Sequence, residues 1–201
     1  MILGITGGTG CGKTTLLKQI ECRGGMVLDC DEIYHELLET DRQLLNEIEK
    51  CFPGVVAGGI LDRKKLGHRV FSDPDALAKL NAITPGAVRR EVERRLAQKP
   101  NLAAIDAIAL FESGLAQLCH VTVAVTAPRE DRVRRLMKRD GIDGEYAAKR
   151  IDAQQPEKFF TEKCDYCLRN DGDLRDFEKK CQDLLEQILG SCNSSGGTTW
   201  R

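Results

Sequence analysis

The 201-residue sequence predicts an α/β fold: a three-layer sandwich with a five-stranded parallel sheet between two layers of helices. Three observations support this fold class. Short apolar runs alternate with longer segments of helical periodicity, as in strands joined by crossover helices. Most of these runs are nearly continuous in Val, Ile, Leu or Ala, which is typical of strands buried on both faces. A glycine-rich P-loop pattern directly follows the first run.

Five runs are predicted to be strands: Ile2–Thr6, Met26–Asp29, Ala103–Leu110, Val121–Thr126 and Tyr166–Arg169. The long stretch between the second and third runs contains no clear strand, so we expect a helical insertion over about residues 31–100. Within it, residues 73–98 read as one long helix or as two helices joined at Thr84-Pro85-Gly86. A Pro-Gly pair there is expected to break or kink the helix.

A second helical pair, Arg129–Arg139 and Gly144–Ala153, turns at Asp140-Gly141. We expect these helices, about residues 128–155, to form a lid on the same domain. The nucleotide-binding core then comprises about residues 1–30, 101–127 and 156–190. The Ser/Gly/Thr-rich tail over residues 191–201 is predicted to be disordered.

The composition excludes several classes of protein. A formal net charge of −1 provides no electrostatic footprint for nucleic acid, and no apolar run approaches the ~20 residues that span a bilayer. Nine cysteines, an odd number, and the lack of a signal peptide favour a reducing cytoplasm. The Cys164-x-x-Cys167 pair has no nearby partners for a zinc site. Nothing in the sequence indicates an oligomeric state.

The pattern G-x-x-x-x-G-K-[ST] is met by Gly7, Gly12, Lys13 and Thr14. Its glycines let successive N–H groups turn toward one anion, and the following helix adds its positive end. Lys13 can reach the β- and γ-phosphates of ATP, and the Thr14 hydroxyl can ligate Mg²⁺. Alternatively, the segment is an ordinary glycine-rich turn that contains a lysine by chance. The predicted ATP-binding residues are Gly8, Thr9, Gly10, Cys11, Gly12, Lys13, Thr14 and Thr15.

The rest of the chain narrows the class of P-loop protein. It lacks the Asn-Lys-x-Asp segment of a GTPase and the Ser-Gly-Gly-Gln-type signature of an ABC ATPase, and it is short for a motor or helicase. The small-molecule kinases remain. They need a base near the acceptor, a carboxylate on the metal side, and arginines that close over the phosphoryl group.

Carboxylates follow two of the predicted strands. If the backbone after the second strand is extended, Asp29 and Asp31 share a face, and Asp31 can accept the proton of the acceptor hydroxyl. Alternatively, Asp31 caps a helix over Glu32–Leu38. Asp106, a lone acid in an apolar run, is either a metal-side carboxylate or a buried hydrogen-bonding group. Glu112 either lines the acceptor site or lies on the surface.

Arg132, Arg135 and Arg139 recur at spacings of three and four on one face of the fourth predicted crossover helix. Such a stripe is often a solvated face, but arginine forks also fit phosphate oxygens. Because the stripe falls in the expected lid, we assign Arg139 to the transferred phosphoryl group. Cys11 lies at a helix N-terminus, which can lower a thiol pKa, or it is simply a small residue that fills the loop.

From Gly4 to about Leu189 the chain resembles the dephospho-CoA kinase family. The matching segments are TGGTGCGKTT (6–15), VLDCDEI (27–33), LDRKKLGHRVFSDP (61–74), LFE (110–112), RLMKRDGID (135–143), RIDAQ (150–154) and CDYCLRNDG (164–172). A P-loop alone is shared by many families, whereas the V-L-D-x-D and L-D-R-x-x-L-x-x-x-V-F segments in this order are more specific.

The resemblance implies transfer of the γ-phosphoryl group of ATP to the ribose 3′-hydroxyl of dephospho-CoA, with a helical CoA-binding insertion and a lid. It implies that Asp31 is the catalytic base, that Arg63 belongs to the acceptor-binding insertion and that Arg139 is the lid arginine. Asn170 matches the asparagine of a turn near the adenine, although an ordinary turn also accounts for it.

The sequence departs from the family in two places. The family usually shows Ile-Thr-His-Pro where Ile83-Thr84-Pro85-Gly86 stands here, and a proline where Ile108 stands. Both departures fall where the acceptor is expected. Two other readings stay open: a nucleoside or nucleotide kinase of the same architecture, and a non-catalytic nucleotide-binding regulator. Lys13, Thr14, Asp31 and Asp106 together argue against the regulator.

Overall fold

A five-stranded parallel sheet forms the centre of the computed structural model, which describes residues 1–194. The strands in chain order are β1 (Ile2–Thr6), β2 (Met26–Asp29), β3 (Val56–Ala57), β4 (Ile60–Leu61), β5 (Ala103–Asp106), β6 (Val121–Thr126) and β7 (Tyr166–Arg169). Five of them form the sheet in the order β2-β5-β1-β6-β7, and every neighbouring pair is parallel. The predicted fold class is confirmed.

Helices connect the strands and cover both faces of the sheet. They are α1 (Lys13–Cys22), α2 (Cys30–Thr40), α3 (Arg42–Cys51), α4 (Arg63–Ser72), α5 (Pro74–Leu96), α6 (Arg129–Asp140), α7 (Gly144–Asp152), α8 (Glu157–Lys163) and α9 (Leu174–Ser194). Aspartate side chains accept hydrogen bonds from first-turn N–H groups of six helices and so fix where these begin. These capping residues are Asp29, Asp41, Asp62, Asp73, Asp143 and Asp173.

Alternate residues of each strand enter different cores, because successive side chains point to opposite faces of a sheet. Leu28 and Ile105 belong to the core formed with α2–α5. Val27 and Ala104 belong to the core formed with α1 and α9. A smaller core joins α6 to α7 through Leu136, Ala147 and Ile151. In residues 1–194 no helix has both the length and the apolarity needed to cross a bilayer.

Several predicted boundaries change in the structure. The third predicted strand ends at Asp106 rather than Leu110, because the chain leaves the sheet where β1 and β2 also end. Residues 74–96 form one helix across Pro85, so the alternative with a break is wrong. Buried residues on both sides of Pro85, among them Leu80 and Val88, supply packing that offsets the lost backbone hydrogen bond.

The insertion and the C-terminal region contain elements that sequence patterns did not indicate. The antiparallel hairpin of β3 and β4 has only two residues in each strand, too few for a period-2 pattern. Helix α8 was not predicted either. The first four residues of the expected tail, 191–194, continue α9, and its other residues, 195–201, lie outside the described part of the chain.

Strand register sets the position of the polar residues. Asp29 of β2 and Ile5 of β1 are both register partners of Asp106 on β5, so the carboxyl ends of these strands are level. Open parallel sheets bind ligands at this edge. The P-loop leaves β1 at the same edge, which brings it beside both aspartates.

Candidate active site

The P-loop wraps around the start of α1 in a conformation that requires glycine. Gly7, Gly10 and Gly12 have φ angles of 136°, 79° and 100°. A Cβ atom at Gly7 would lie 2.1 Å from the Val125 carbonyl oxygen. Gly12 precedes α1 and contributes no capping side chain, which leaves first-turn N–H groups of α1 available to an anion.

A polar cavity of about 480 Å³ opens above this loop, and we call it the phosphate cavity. It brings together most of the residues predicted for ATP, metal and catalysis. Its lining includes Gly8, Thr9, Gly10, Cys11, Gly12, Lys13, Thr14, Asp29, Asp31, Asp106, Ile108, Arg135, Arg139, Arg150 and Gln154. Thr15 is not part of the lining, and its N–H donates to the Gly12 carbonyl at 3.1 Å.

Lys13 and Asp106 face each other on the floor of this cavity. Lys13 Nζ lies 3.7 Å from Asp106 Oδ1 and donates to the Gly7 carbonyl at 3.2 Å. Asp106 Oδ1 is buried and has no hydrogen-bond partner in the described chain. Burial raises the pKa of Asp106 to about 6; Lys13 opposes the shift, and the charges of Asp29 and Asp31 add to it. A buried carboxylate oxygen that has no hydrogen-bond partner is suited to bind a cation.

Asp29 and Asp31 have different local roles. The backbone after β2 is helical rather than extended, because α2 begins at Cys30. Asp29, not Asp31, caps this helix: Asp29 Oδ1 accepts from the N–H groups of Asp31 and Glu32 at 2.8 and 3.1 Å. The carboxylate of Asp31 is therefore not needed as the helix cap.

A second cavity of about 500 Å³ adjoins the phosphate cavity, and we call it the apolar cavity. Asp31 and Ile108 line both cavities. The other residues of its lining are Cys30, Tyr34, Asn81, Thr84, Pro85, Val88, Ala107, Ala109, Glu112, Ser113 and Leu115. Glu112 is part of this lining and is also solvent-exposed. Pro85 and Ile108, which stand at the two places where the sequence departs from its family pattern, line the same cavity.

Comparisons with known proteins identify the family of this chain. A family model described as dephospho-CoA kinase matches residues 1–176. The chain belongs to the dephospho-CoA kinase family. A dephospho-CoA kinase of Anaeromyxobacter dehalogenans is 38% identical in a 195-residue alignment that covers 94% of this chain and 92% of that protein. One from Thermus thermophilus is 35% identical over 198 residues, 98% and 96% of the two chains. A Thermus thermophilus crystal structure has a TM-score of 0.77 at 36% identity, covering 94% of this chain and 97% of that one.

In this dephospho-CoA kinase family member the three arginines of the α6 stripe make different contacts. Arg139 lines the phosphate cavity and forms a two-point ion pair with Asp140, at 2.6 and 3.1 Å. Arg150 of α7, which also lines the cavity, donates to Asp140 at 2.7 Å. Arg139, with a smaller contribution from Arg150, lowers the pKa of Asp140 to about 2. Two guanidinium groups therefore share one carboxylate at the rim of the cavity.

Arg135 and Asn170 hold the loop from its other side. Arg135 donates to the Gly10 carbonyl at 3.2 Å and to Asn170 Oδ1 at 3.1 Å. Asn170 is 6% exposed and donates to the Cys11 carbonyl at 2.9 Å. A Cβ atom at Gly12 would lie 2.4 Å from Asn170 Nδ2. In this kinase fold Asn170 therefore contacts the P-loop itself. Its position in a predicted turn did not indicate this contact.

Arg63, which was predicted to bind the acceptor, lies outside both cavities. Its guanidinium pairs with Glu39 at 2.9 Å and donates to the His35 carbonyl, both on α2. The Arg63 charge opposes the rise that burial causes in the pKa of Tyr34, a residue of the apolar cavity. Arg63 is thus electrostatically coupled to that cavity without lining it.

The sequence analysis assigned no role to two residues that line the cavities of this kinase. Gln154 lines the phosphate cavity, and Tyr34 lines the apolar cavity. Gln154 lies within a segment that matches the family. Cys11 is 3% exposed, and burial raises its pKa although Arg132 and Lys13 act to lower it. Its helix-terminal position therefore does not create a low-pKa thiol.

Proposed function

We propose that this chain, a member of the dephospho-CoA kinase family, transfers the γ-phosphoryl group of ATP to the ribose 3′-hydroxyl of dephospho-CoA. The products are ADP and CoA, and the reaction is the last step of coenzyme A synthesis. The observation that carries the proposal is the position of Asp31, which lines both the phosphate cavity and the apolar cavity. A phosphoryl transfer needs a group at the boundary between donor and acceptor.

ATP is the donor in this proposal. Its phosphates bind the N–H groups of the P-loop and the start of α1, and Lys13 contacts the β- and γ-phosphates. Thr14 and Asp106 are the residues that would hold Mg²⁺, and the orphaned Oδ1 of Asp106 supports this assignment. Among the described side chains of residues 1–190 no group of three or more His, Cys, Asp or Glu residues is arranged to hold a metal ion. The bound Mg²⁺ would neutralise charge on the β- and γ-phosphate oxygens.

Asp31 is the general base of the proposed reaction. Its carboxylate accepts the proton of the 3′-hydroxyl while that oxygen forms a bond to the γ-phosphorus. The bond from the γ-phosphorus to the β–γ bridging oxygen breaks, and ADP departs with the electron pair. Arg139 stabilises the charge that spreads over the transferred group. Its pairing with Asp140 keeps it at the rim of the cavity before ATP binds.

The acceptor occupies the apolar cavity and the insertion, about residues 31–100. Glu112 is suited to hydrogen-bond hydroxyl groups of the acceptor, since it lies in the same lining as Asp31. Arg63 is suited to a more distant phosphate of the acceptor, because it lies outside the two cavities yet acts on Tyr34. Thr84 and Pro85 form part of the wall of the apolar cavity, and Pro85 stands where the family usually has a histidine.

We also propose that residues 128–155 act as the lid and that the enzyme works in the cytoplasm. The eight cysteines of residues 1–190 are all free thiols, which suits a reducing compartment. The small core of Leu136, Ala147 and Ile151 makes α6 and α7 one packed unit that carries Arg139 and Arg150 together.

An assay of ADP release with a panel of acceptors tests the function. We expect turnover with dephospho-CoA and none above the no-acceptor rate with nucleosides or nucleoside monophosphates. Turnover with a nucleoside and none with dephospho-CoA would establish the alternative small-molecule kinase. Mass spectrometry of the product, before and after treatment with a 3′-nucleotidase, checks that the 3′-hydroxyl is the acceptor.

A further inference from the structure

Arg132 is a buried arginine beneath the P-loop that the proposed mechanism does not use. It is 8% exposed, and it is not part of the phosphate-cavity lining. Its Nε donates to the Thr9 carbonyl at 2.9 Å, and its Nη2 donates to Gln154 Oε1 at 2.9 Å. A Cβ atom at Gly8 would lie 2.3 Å from Nη2, so the guanidinium packs directly against the loop backbone.

The charge of Arg132 has no paired carboxylate. No Asp or Glu oxygen among the described side chains lies within 4.0 Å of it. On the same helix Arg129, Arg134 and Arg139 are paired with carboxylates, whereas Arg135, like Arg132, donates only to neutral groups. Two acids of this region are bound to other arginines. Asp152 pairs with Arg129 at 2.8 Å, and Glu157 pairs with Arg169 at 3.1 Å. A buried charge without a counter-ion is costly, so an anion that approaches it is favoured.

The hydrogen-bond acceptor of Arg132 Nη2 is the neutral side-chain amide of Gln154. Its Oε1 also accepts from the Thr9 N–H at 2.9 Å, so one amide oxygen joins the P-loop to Arg132. A glutamate of nearly the same shape would make the same two contacts and would neutralise Arg132. The chain instead has an amide, which holds the guanidinium in place and leaves its charge available.

We propose that Arg132 is a positioning residue that, together with Gln154, fixes the P-loop and adds behind it a positive charge with no directly paired carboxylate, to which the nucleotide phosphates act as counter-ion. Arg132 acts through the loop backbone rather than by touching the nucleotide. This inference rests on the proposed function only in requiring that the loop binds a nucleotide. It does not depend on which acceptor is phosphorylated.

ADP binding to the full-length protein, measured by titration calorimetry, tests the proposal. Arg132→Gln removes the charge, and we expect the ADP dissociation constant to rise about tenfold, as for one partly screened charge pair. Arg132→Lys keeps the charge, and we expect a rise of less than about threefold. Arg134→Gln is the matched control, because it removes an exposed charge from the same helix, and it is expected to leave ADP affinity unchanged.

Gln154→Glu separates this role from a purely structural one. It keeps both hydrogen bonds and gives Arg132 a carboxylate partner, so we expect the free protein to melt at a higher temperature while ADP binds about tenfold more weakly. Because Gln154 lines the phosphate cavity, the new carboxylate also repels ADP directly, so the rise in melting temperature, rather than the loss of affinity, shows that Arg132 lacked a carboxylate partner. In an Arg132→Gln background the same change should lower the melting temperature, because the added carboxylate then has no cation.

Three results would overturn the proposal: unchanged ADP affinity in Gln154→Glu, equal losses in Arg132→Lys and Arg132→Gln, or an equal loss in Arg134→Gln. A wild-type protein that binds ADP but does not phosphorylate dephospho-CoA would refute the proposed function and leave this inference standing.

Discussion

Lys13 Nζ lies 3.7 Å from Asp106 Oδ1, at a distance that permits charge attraction but not a hydrogen bond. The lysine bonds instead to the Gly7 carbonyl, and Asp106 keeps a buried oxygen free of partners among residues 1–194. In the donor half of the site, a bound phosphate can therefore pair with Lys13, and a bound cation can pair with the carboxylate of Asp106.

Lys13→Ala is expected to abolish turnover and to weaken ATP binding. The substitution removes the cation that contacts the β- and γ-phosphates, so we expect kcat to fall by at least ~10². Lys18→Ala, an exposed change on the same helix, is the control and should behave as wild type in a steady-state ADP-release assay. Turnover within about threefold of wild type in Lys13→Ala would contradict the assignment.

Asp106→Asn should change how stability depends on pH in the metal-free protein. The folded-state pKa of Asp106 is raised from 3.8 to about 6, so between these values the folded state holds a proton that the unfolded chain has released. This term makes wild-type stability fall as pH rises through that window. Asparagine removes the term, and the variant should become more stable than wild type by roughly 2–3 kcal/mol above pH ~6.

Urea unfolding of both proteins at several pH values, with a chelator present, measures this difference. The two stability curves should converge near pH ~4, where the wild-type carboxyl is protonated in the folded state. A constant difference across pH 4–7 would show that the pKa of Asp106 is not raised.

Asp31→Asn is expected to separate binding from chemistry. The amide cannot accept the proton of the acceptor hydroxyl, so kcat should fall by ~10² or more while the ATP dissociation constant stays within about twofold. The helix start should be unaffected, since Asp29 provides the cap. Glu32→Gln, an exposed neighbour, is the control. Normal turnover in Asp31→Asn would refute its role as base.

Arg139→Ala should slow the chemical step more than it weakens nucleotide binding. Its guanidinium is expected to stabilise charge on the transferred phosphoryl group, so we expect kcat to fall by ~10²–10³. The released Asp140 can still pair with Arg150, which keeps the fold intact. Lys138→Ala on the same helix is the control. Equal single-turnover rates for wild type and Arg139→Ala would contradict this role.

Pro85→Ala should stabilise α5 and alter the acceptor site. Alanine restores the backbone donor that proline lacks, and we expect a gain of ~1–3 kcal/mol in the free energy of unfolding. Because Pro85 lines the apolar cavity, the KM for dephospho-CoA should change while the KM for ATP does not. Pro74→Ala, at the first turn of the same helix, is the control, since proline is favoured there. A change confined to the KM for ATP would place the acceptor elsewhere.

Local sequence information accounts for the features that were predicted well. Four of the five sheet strands were predicted with the observed bounds. The inner strands β1 and β6 are buried along nearly their whole length, which makes them almost continuously apolar runs, whereas the edge strands β2 and β7 are partly exposed and end at the charged residues Asp29 and Arg169. The P-loop was also predicted from sequence, because Gly7, Gly12, Lys13 and Thr14 are close in the chain. Their spacing itself creates the anion site. Beyond Asp106 the apolar run misled the strand prediction, because Leu110 is buried by packing outside the sheet.

The sequence by itself determined the fold class, the P-loop and the candidate aspartates, because each depends on residues a few positions apart. Only the tertiary structure decided what Arg132, Gln154 and Arg63 contact. Arg132 and Gln154 meet through a turn between α6 and α7 and reach Thr9, more than a hundred positions earlier in the chain. Such contacts arise from the packing of helices against a sheet edge, and no periodicity in the sequence encodes them.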